Sequence, residues 1–263
     1  MSDFGIDVAR GDDHVAWVTF RNRERLNALR LEMWESIPQI MRDLGADPAV
    51  RVCVLRGAGE GAFASGADIS EFETRRKDAP SAAAYEAVTG QAFAALTGFE
   101  KPLLAMVHGV CIGGGLAVAL SADVRLVSTD ARFALPAARL GLGYHASGIA
   151  RLVQIVGPSA AAEICFAALQ YDADEALRLG LVNRVLPKED LDGFTRAYAA
   201  AMASNAPLTQ RAAKVAIREA LADPADRDPA VAERLIAACF ESADYAEGVR
   251  AFHEKRKPRF GGA

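Results

Sequence analysis

The stretch Lys101–Pro136 reads KPLLAMVHGVCIGGGLAVALSADVRLVSTDARFALP. Pro102 introduces an apolar run, Leu103 to His108, that predicts a buried strand. The turn GVCIGGG follows. A short buried helix is expected over Leu116 to Ser121, then a strand over Val124 to Val127. Strand, glycine loop, helix, strand is the order of an α/β core. The unit at 50–77 has the same order: a strand over Val50 to Arg56, the loop GAGEGAFASGAD, and a helix expected near Ile69. Asp68 and Glu71 supply a capping-box pattern for that helix. Further out, His14 to Phe20 reads as a strand and Asn27 to Leu44 has helical spacing, with a kink expected at Pro38. Ala79 to Thr97 is Ala-rich and helical in pattern.

The second half reads as helical. Gly157-Pro158 opens a helix, Asp172 and Glu175 repeat the capping pattern, and Gly180 marks a C-terminal stop. After Pro187 helix is expected to about Lys257, broken by a turn at Asp223 to Pro229, with Asp244 to Glu247 capping the last helix. The expected division is an α/β core over 1–195 and a helical oligomerisation region over 196–263. Helices trailing an α/β core predict packing against neighbouring copies.

Composition narrows the function classes. At 263 residues and 51% hydrophobic, the chain can bury a large core. A net charge of −4 supplies no global field for nucleic acid or an anionic membrane. The basic run Arg75-Arg76-Lys77 reads as a solvated helix end. Cys53, Cys111, Cys165 and Cys239 form no CxxC pair and read as reduced, buried residues of a cytoplasmic protein. No zinc-ligand spacing occurs, so no metal is expected. The acidic start MSDFGIDVARGDD predicts no signal peptide, and the apolar stretches read as too short for a membrane span.

The chemistry points to the two glycine loops. Gly113-Gly114-Gly115, between strand and helix, exposes backbone N–H groups at the positive end of a helix. GxGxxG fails because Val118 holds the third glycine position, and the P-loop fails because Gly115 stands where Lys is required. The second loop, Phe63 to Asp68, also joins a strand to a helix start. There the Ala67 N–H lies outside any helical bonding. Two such donors facing each other form an oxyanion hole for a thioester carbonyl. Asp68 has a plainer reading as a helix cap.

FASGADISEF and the Lys101–Pro136 stretch together resemble the crotonase (enoyl-CoA hydratase/isomerase) superfamily. ADEALRLGLVNRVLP and EGVRAFHEKRKPRF resemble its later segments, so the likeness runs from about 14 to 260. It implies an α/β spiral of ββα units with a C-terminal helical trimerisation region, assembled as a trimer or a dimer of trimers. It implies an acyl-CoA thioester substrate, with coenzyme A as part of the substrate and no separate cofactor. By the same likeness the oxyanion donors are Ala67 and Gly114. Ser65, Ala67, Asp68 and Ile69 belong to the substrate channel, and Arg25 and Leu26 flank the CoA adenine and phosphates. Lys255 or Lys257 is placed to reach a neighbour's CoA phosphate, against a plainer role as a solvated helix end.

The pattern then breaks. The family's hydratases carry glutamates in the forms GGGxE and FxxPE, and these positions here are Ala117 and Ala137. Hydration needs a base for water and an acid for the α-carbon, and alanine is neither. His145, in LGLGYHASG, falls near the acid of several enoyl-CoA isomerases; its other reading is a loop histidine bonded to backbone. Tyr144 matches a carboxylate-binding tyrosine of methylmalonyl-CoA decarboxylases, or else lines the channel. Ser147 lies too close to His145 in sequence to be its nucleophile. His108 reads as structural, Asp123 and Asp130 as turn residues, and Arg139 as a surface ion-pair partner. The nominal function is enoyl-CoA hydratase. The alternatives are isomerisation, decarboxylation and a non-catalytic CoA-binding protein.

Overall fold

The computed structural model describes residues 4–71, 75 and 77–262. Its strands are Gly5–Arg10 (β1), Val15–Arg21 (β2), Val52–Gly57 (β3), Ala62–Ala64 (β4), Leu103–Val107 (β5), Val110–Ile112 (β6), Val124–Ser128 (β7), Arg132–Ala134 (β8), Gln170–Tyr171 (β9) and Arg184–Leu186 (β10). The described α-helices are Leu31–Ala46 (α1), Ala79–Thr97 (α2), Gly114–Ser121 (α3), Ala137–Leu140 (α4), Ala146–Ala167 (α5), Ala173–Arg178 (α6), Lys188–Ala203 (α7), Pro207–Leu221 (α8), Pro229–Glu241 (α9) and Ala243–His253 (α10).

The strands form a six-stranded sheet, β1-β2-β3-β5-β7-β10, and a four-stranded sheet, β4-β6-β8-β9. The larger sheet is parallel from β2 onward. Parallel strands covered on both faces are built largely of apolar residues, as LLAMV is throughout and VCVLRG is apart from the half-buried Arg56. Alternate residues face opposite ways. Cys53, Leu55, Leu103 and Ala105 enter the main core, while Val52, Val54, Leu104 and Met106 pack with Leu191, Ala199 and Ala203 of α7. Each turn of the chain lays one strand in each sheet and then a helix: β3-β4-α2, β5-β6-α3, then β7-β8 with α4 and α5. This is the expected spiral of ββα units. The helical run after Pro187 is also present, and position 195/196 falls within α7.

Several local expectations are corrected. The first helix begins at Leu31 rather than Asn27. Asn27 has φ +56, and its amide nitrogen donates to Ala58 O and Ala62 O at 3.0 and 2.8 Å, which ties the preceding loop to β4. Asp68 and Glu71 make no reciprocal cap. The Asp68 N–H donates to Leu29 O, and the Glu71 carboxylate accepts from Leu31 N at 2.9 Å and Arg30 Nε at 3.1 Å. Glu71 therefore serves the start of α1, and a short 3-10 turn, Ile69–Glu71, follows Asp68. Ser242, not Asp244, caps α10; Asp244 accepts from the Gly261 and Gly262 amides. Cys165 and Cys239 are half-buried rather than buried.

By length and composition, α5 could cross a membrane, contrary to the reading of the apolar stretches. Gly157, at φ +78 and ψ 167, breaks it into two segments, as Gly157-Pro158 predicted. Each segment spans only about 15 Å at roughly 1.5 Å per residue, half of a ~30 Å hydrocarbon core. Arg75 and Lys77 are exposed; Arg76 of the basic run and residues 1–3 of the acidic start lie outside the described residues.

Candidate active site

The loop Ser65 to Asp68 is stitched to the segment before α1. Ser65 N donates to Leu26 O at 3.0 Å, Ser65 Oγ to Arg25 O at 3.0 Å, and Leu29 N to Gly66 O at 2.7 Å. With Asp68 N bonded to Leu29 O, these contacts fix the loop on both sides of Ala67, whose own amide has no acceptor among the described residues. The opposite loop is held by Gly113 N on Ala134 O at 2.9 Å. Gly113 has φ +55 and ψ −119, a conformation that a side chain disfavours. A Cβ on Gly115 would stand 2.1 Å from Ala64 O, so α3 approaches β4 backbone to backbone. Gly114 is the first residue of α3, so its N–H has no intrahelical partner.

These constraints bring the two amides to one place. A Cβ on Gly114 would lie 3.5 Å from Ala67 N and 3.2 Å from Trp34 Cζ2. Both residues line a cavity of about 870 Å³, within the range of ligand sites. Ser65, Ile69, Ala117, Ala137, Tyr144, His145 and Ser147 line it too. Ile69 is 67% exposed and forms an apolar rim. The positions of both absent glutamates thus open into the cavity as alanines.

The remaining expected residues stand around it. Arg25 and Leu26 do not line the cavity but are bonded to Ser65 through their carbonyls. Asp68 is buried, and its Oδ1 accepts from Ser70 N and Arg25 Nη1, so it shapes the loop. Lys255 and Lys257 are exposed after α10. His108 is buried against Gly59 O; Asp123 accepts from Leu103 N and Lys214, and Asp130 from Ser128 and Lys188. Arg139 is exposed and makes no ion pair among the described residues. Also among the described residues, no group of three or more His, Cys, Asp and Glu is placed to hold a metal ion.

Two residues escaped the sequence reading. Trp34 of α1 packs against the Gly114 position and meets Phe93 of α2 edge-on at 5.3 Å. Glu86 of α2 lines the cavity and contacts His145 directly, Oε2 to Nε2. A signal existed: Glu86 is the single charged residue in APSAAAYEAVTGQAFAALT. It follows Tyr85, which with Thr89 and Phe93 marks one helix face at i, i+4 spacing. Tyr144 is half-buried at the cavity wall, and burial pushes its phenol well above its ordinary pKa, so its hydroxyl stays protonated.

The enoyl-CoA hydratase/isomerase family profile matches residues 10–263. The chain belongs to that family. It is 34% identical over 250 residues to the short-chain-enoyl-CoA hydratase of Clostridium acetobutylicum, covering 95% of each chain. It is 33% identical over 244 residues to the crotonyl-CoA hydratase of Syntrophomonas wolfei, covering 92% of this chain and 93% of that one. Its structure matches a solved enoyl-CoA hydratase/carnithine racemase from Magnetospirillum magneticum with a TM-score of 0.92 at 36% identity, covering 100% and 97% of the two chains. The protein is therefore an acyl-CoA-processing enzyme of the enoyl-CoA hydratase/isomerase family, with the crotonase fold. At the two positions where the resemblance expects glutamates, it carries Ala117 and Ala137.

Proposed function

We propose that this enzyme holds the thioester oxygen of an acyl-CoA between the Ala67 and Gly114 amides and stabilises an enolate there. The carrying observation is the 3.5 Å between Ala67 N and the Cβ position of Gly114, inside one cavity. Each donor aimed at a developing oxyanion is worth roughly 3–4 kcal/mol of barrier. Ser65, Ile69 and the Arg25-Leu26 segment carry the CoA arm, with Asp68 shaping the loop. The nominal reaction, carried over from the names of its relatives, is reversible hydration of an enoyl-CoA. A second reading is favoured by the contact between His145 and Glu86. Double-bond isomerisation needs one group to take a proton from carbon and return it, and a single imidazole performs both steps. Decarboxylation needs no base, and a protonated Tyr144 hydroxyl can hold the carboxylate that leaves.

The same reading takes coenzyme A as part of the substrate with no separate cofactor, a cytoplasmic location, and no nucleic-acid or membrane partner. It includes a homotrimer or a dimer of trimers, supported by Phe166 and Phe252, each 81% exposed on the helical half. Crotonyl-CoA, a 3-enoyl-CoA and methylmalonyl-CoA should be assayed with the wild type, His145→Ala and Tyr144→Phe. Loss of the enoyl absorbance supports hydration. Its appearance from the 3-enoyl substrate, abolished by His145→Ala, supports isomerisation. CO2 release sensitive to Tyr144→Phe supports decarboxylation. Acyl-CoA binding with no turnover of any of the three leaves a non-catalytic binding protein.

A further inference from the structure

We propose that His145 is the base of this enzyme and that Glu86 is its positioning residue, the two together supplying the proton transfer that Ala117 and Ala137 cannot. The proposal rests on the enolate reading above.

Geometry comes first. Glu86 projects from α2, and His145 stands at the N-cap of α5, so two separate elements deliver the pair. Their side chains touch through Glu86 Oε2 and His145 Nε2, and both line the cavity that holds Ala67 and Gly114. They are 34% and 42% exposed, open to a ligand yet walled by α2 and α5. The turn bearing His145 is folded onto the position of a missing acid. Leu142 N donates to Ala137 O at 3.1 Å, so the chain doubles back over α4 before it reaches Tyr144 and His145.

Stability gives little reason for the pair. A half-exposed ion pair contributes about 0–1 kcal/mol. An imidazole is also a poor choice for an N-cap, where Ser, Thr, Asp or Asn is preferred, and His145 makes no side-chain cap hydrogen bond. Glu86 is the single charge on an otherwise uncharged, Ala-rich helix.

The chemistry follows from the contact. When Nε2–H donates to the Glu86 carboxylate, Nδ1 is left as the acceptor of the neutral ring. The Nδ1 lone pair takes a proton from the carbon next to the enoyl double bond. The C–H electron pair becomes the new C=C of a dienolate, and the thioester oxygen carries the charge between the two amides. The imidazolium beside the Glu86 carboxylate, open to exchange with solvent, then delivers a proton to the other end of the allylic system. No oxidant, water or metal enters the balance.

The test follows exchange of substrate carbon-bound hydrogen for deuterium in D2O, together with turnover of a 3-enoyl-CoA, in the folded full-length protein. Glu86→Gln keeps the shape and a hydrogen-bond acceptor but removes the charge. It should lower kcat by about 10²-fold, in line with the weight of general acid–base catalysis, with KM within about threefold. Glu86→Asp should recover part of the loss. Glu86→Gln with His145→Ala should be no slower than His145→Ala alone, because the pair works as a unit. Additive losses, or Glu86→Gln at wild-type rate beside a crippled His145→Ala, would overturn the role of Glu86. Wild-type exchange that survives both substitutions would overturn the pair while leaving the oxyanion reading standing. A wild type that neither exchanges nor turns over any acyl-CoA sinks the enolate reading itself and this proposal with it.

Discussion

The Ala67 nitrogen lies 3.5 Å from the point where a Cβ on Gly114 would stand. On the proposed binding mode, a side chain at 114 crowds the thioester oxygen. Gly114→Ala should reduce kcat by roughly 10²–10³-fold, the scale of losing one oxyanion donor. The added methyl also meets Trp34 Cζ2 at 3.2 Å, so the indole must yield by a few tenths of an ångström. Alanine asks little more of the fold, whereas valine would press further on Trp34. Steady-state kinetics beside a thermal melt separates the two effects. A variant that melts like the wild type and turns over at the same rate would take this amide out of the site.

Ala117 and Ala137 are both half-buried on the cavity wall. Ala137 is the first residue of α4, where a carboxylate gains about 0.3–1 kcal/mol from the helix dipole. Placing glutamate at both positions should therefore be tolerated. The double variant, Ala117→Glu with Ala137→Glu, should gain crotonyl-CoA hydration over the wild type. Each single variant should gain less, because hydration needs an acid and a base. The loss of enoyl absorbance on adding water measures it. No gain in a folded double variant would mean that these positions do not face the reacting carbons.

The long elements were legible because burial forces a period on them. LLAMV is apolar throughout and VRVCVLR is apolar between its two arginines, as strands covered on both faces require. The strands of the second sheet were not. β4, β6 and β8 have three residues each, too few to display alternation, and β4 and β6 lie within the stretches read as glycine loops. The close approach of the two loops was legible because glycine marks a close backbone approach. Glu86 was not, because its partner lies 59 positions away and only the spiral brings α2 beside the start of α5. The pairing of Glu71 with α1 was hidden for the same reason. A local capping pattern competed with a contact 40 residues distant, and the distant one won.

That distant contact can be measured. Glu71 is buried and accepts from Leu31 N at the start of α1 and from Arg30 Nε. Glu71→Ala removes both acceptors and should destabilise the protein by about 1–3 kcal/mol in urea unfolding. Glu71→Gln keeps an acceptor for Leu31 N and should recover part of it. Since α1 carries Trp34 against the Gly114 position, turnover of the alanine variant should fall while the protein is still folded. Equal unfolding midpoints for wild type and alanine variant would show that the contact contributes nothing.

The C-terminal tail offers a test by pH. Glu247 Oε1 accepts from Arg256 Nη1 at 2.6 Å and from Arg259 N at 3.0 Å, and Oε2 accepts from Arg250 Nη2 at 2.9 Å. The Arg256 hydrogen bond, then that of the Arg259 amide, hold the Glu247 carboxyl down at about 2. An unfolded glutamate titrates near about 4.3. A depressed folded pKa means that the contact contributes fully above about 4.3 and is lost as pH falls toward about 2. The arginines stay charged throughout, so within this contact the carboxylate is the group that switches. The Arg259 amide should therefore lose hydrogen-exchange protection between about pH 4 and pH 2, after correction for intrinsic rates. The effect should shrink in ~1 M salt, where the Debye length is about 3 Å. Glu247→Gln should show the low-pH exchange pattern already at neutral pH. Protection of the Arg259 amide that is flat across this window, in the wild type, would mean that the tail is held by something other than this carboxylate.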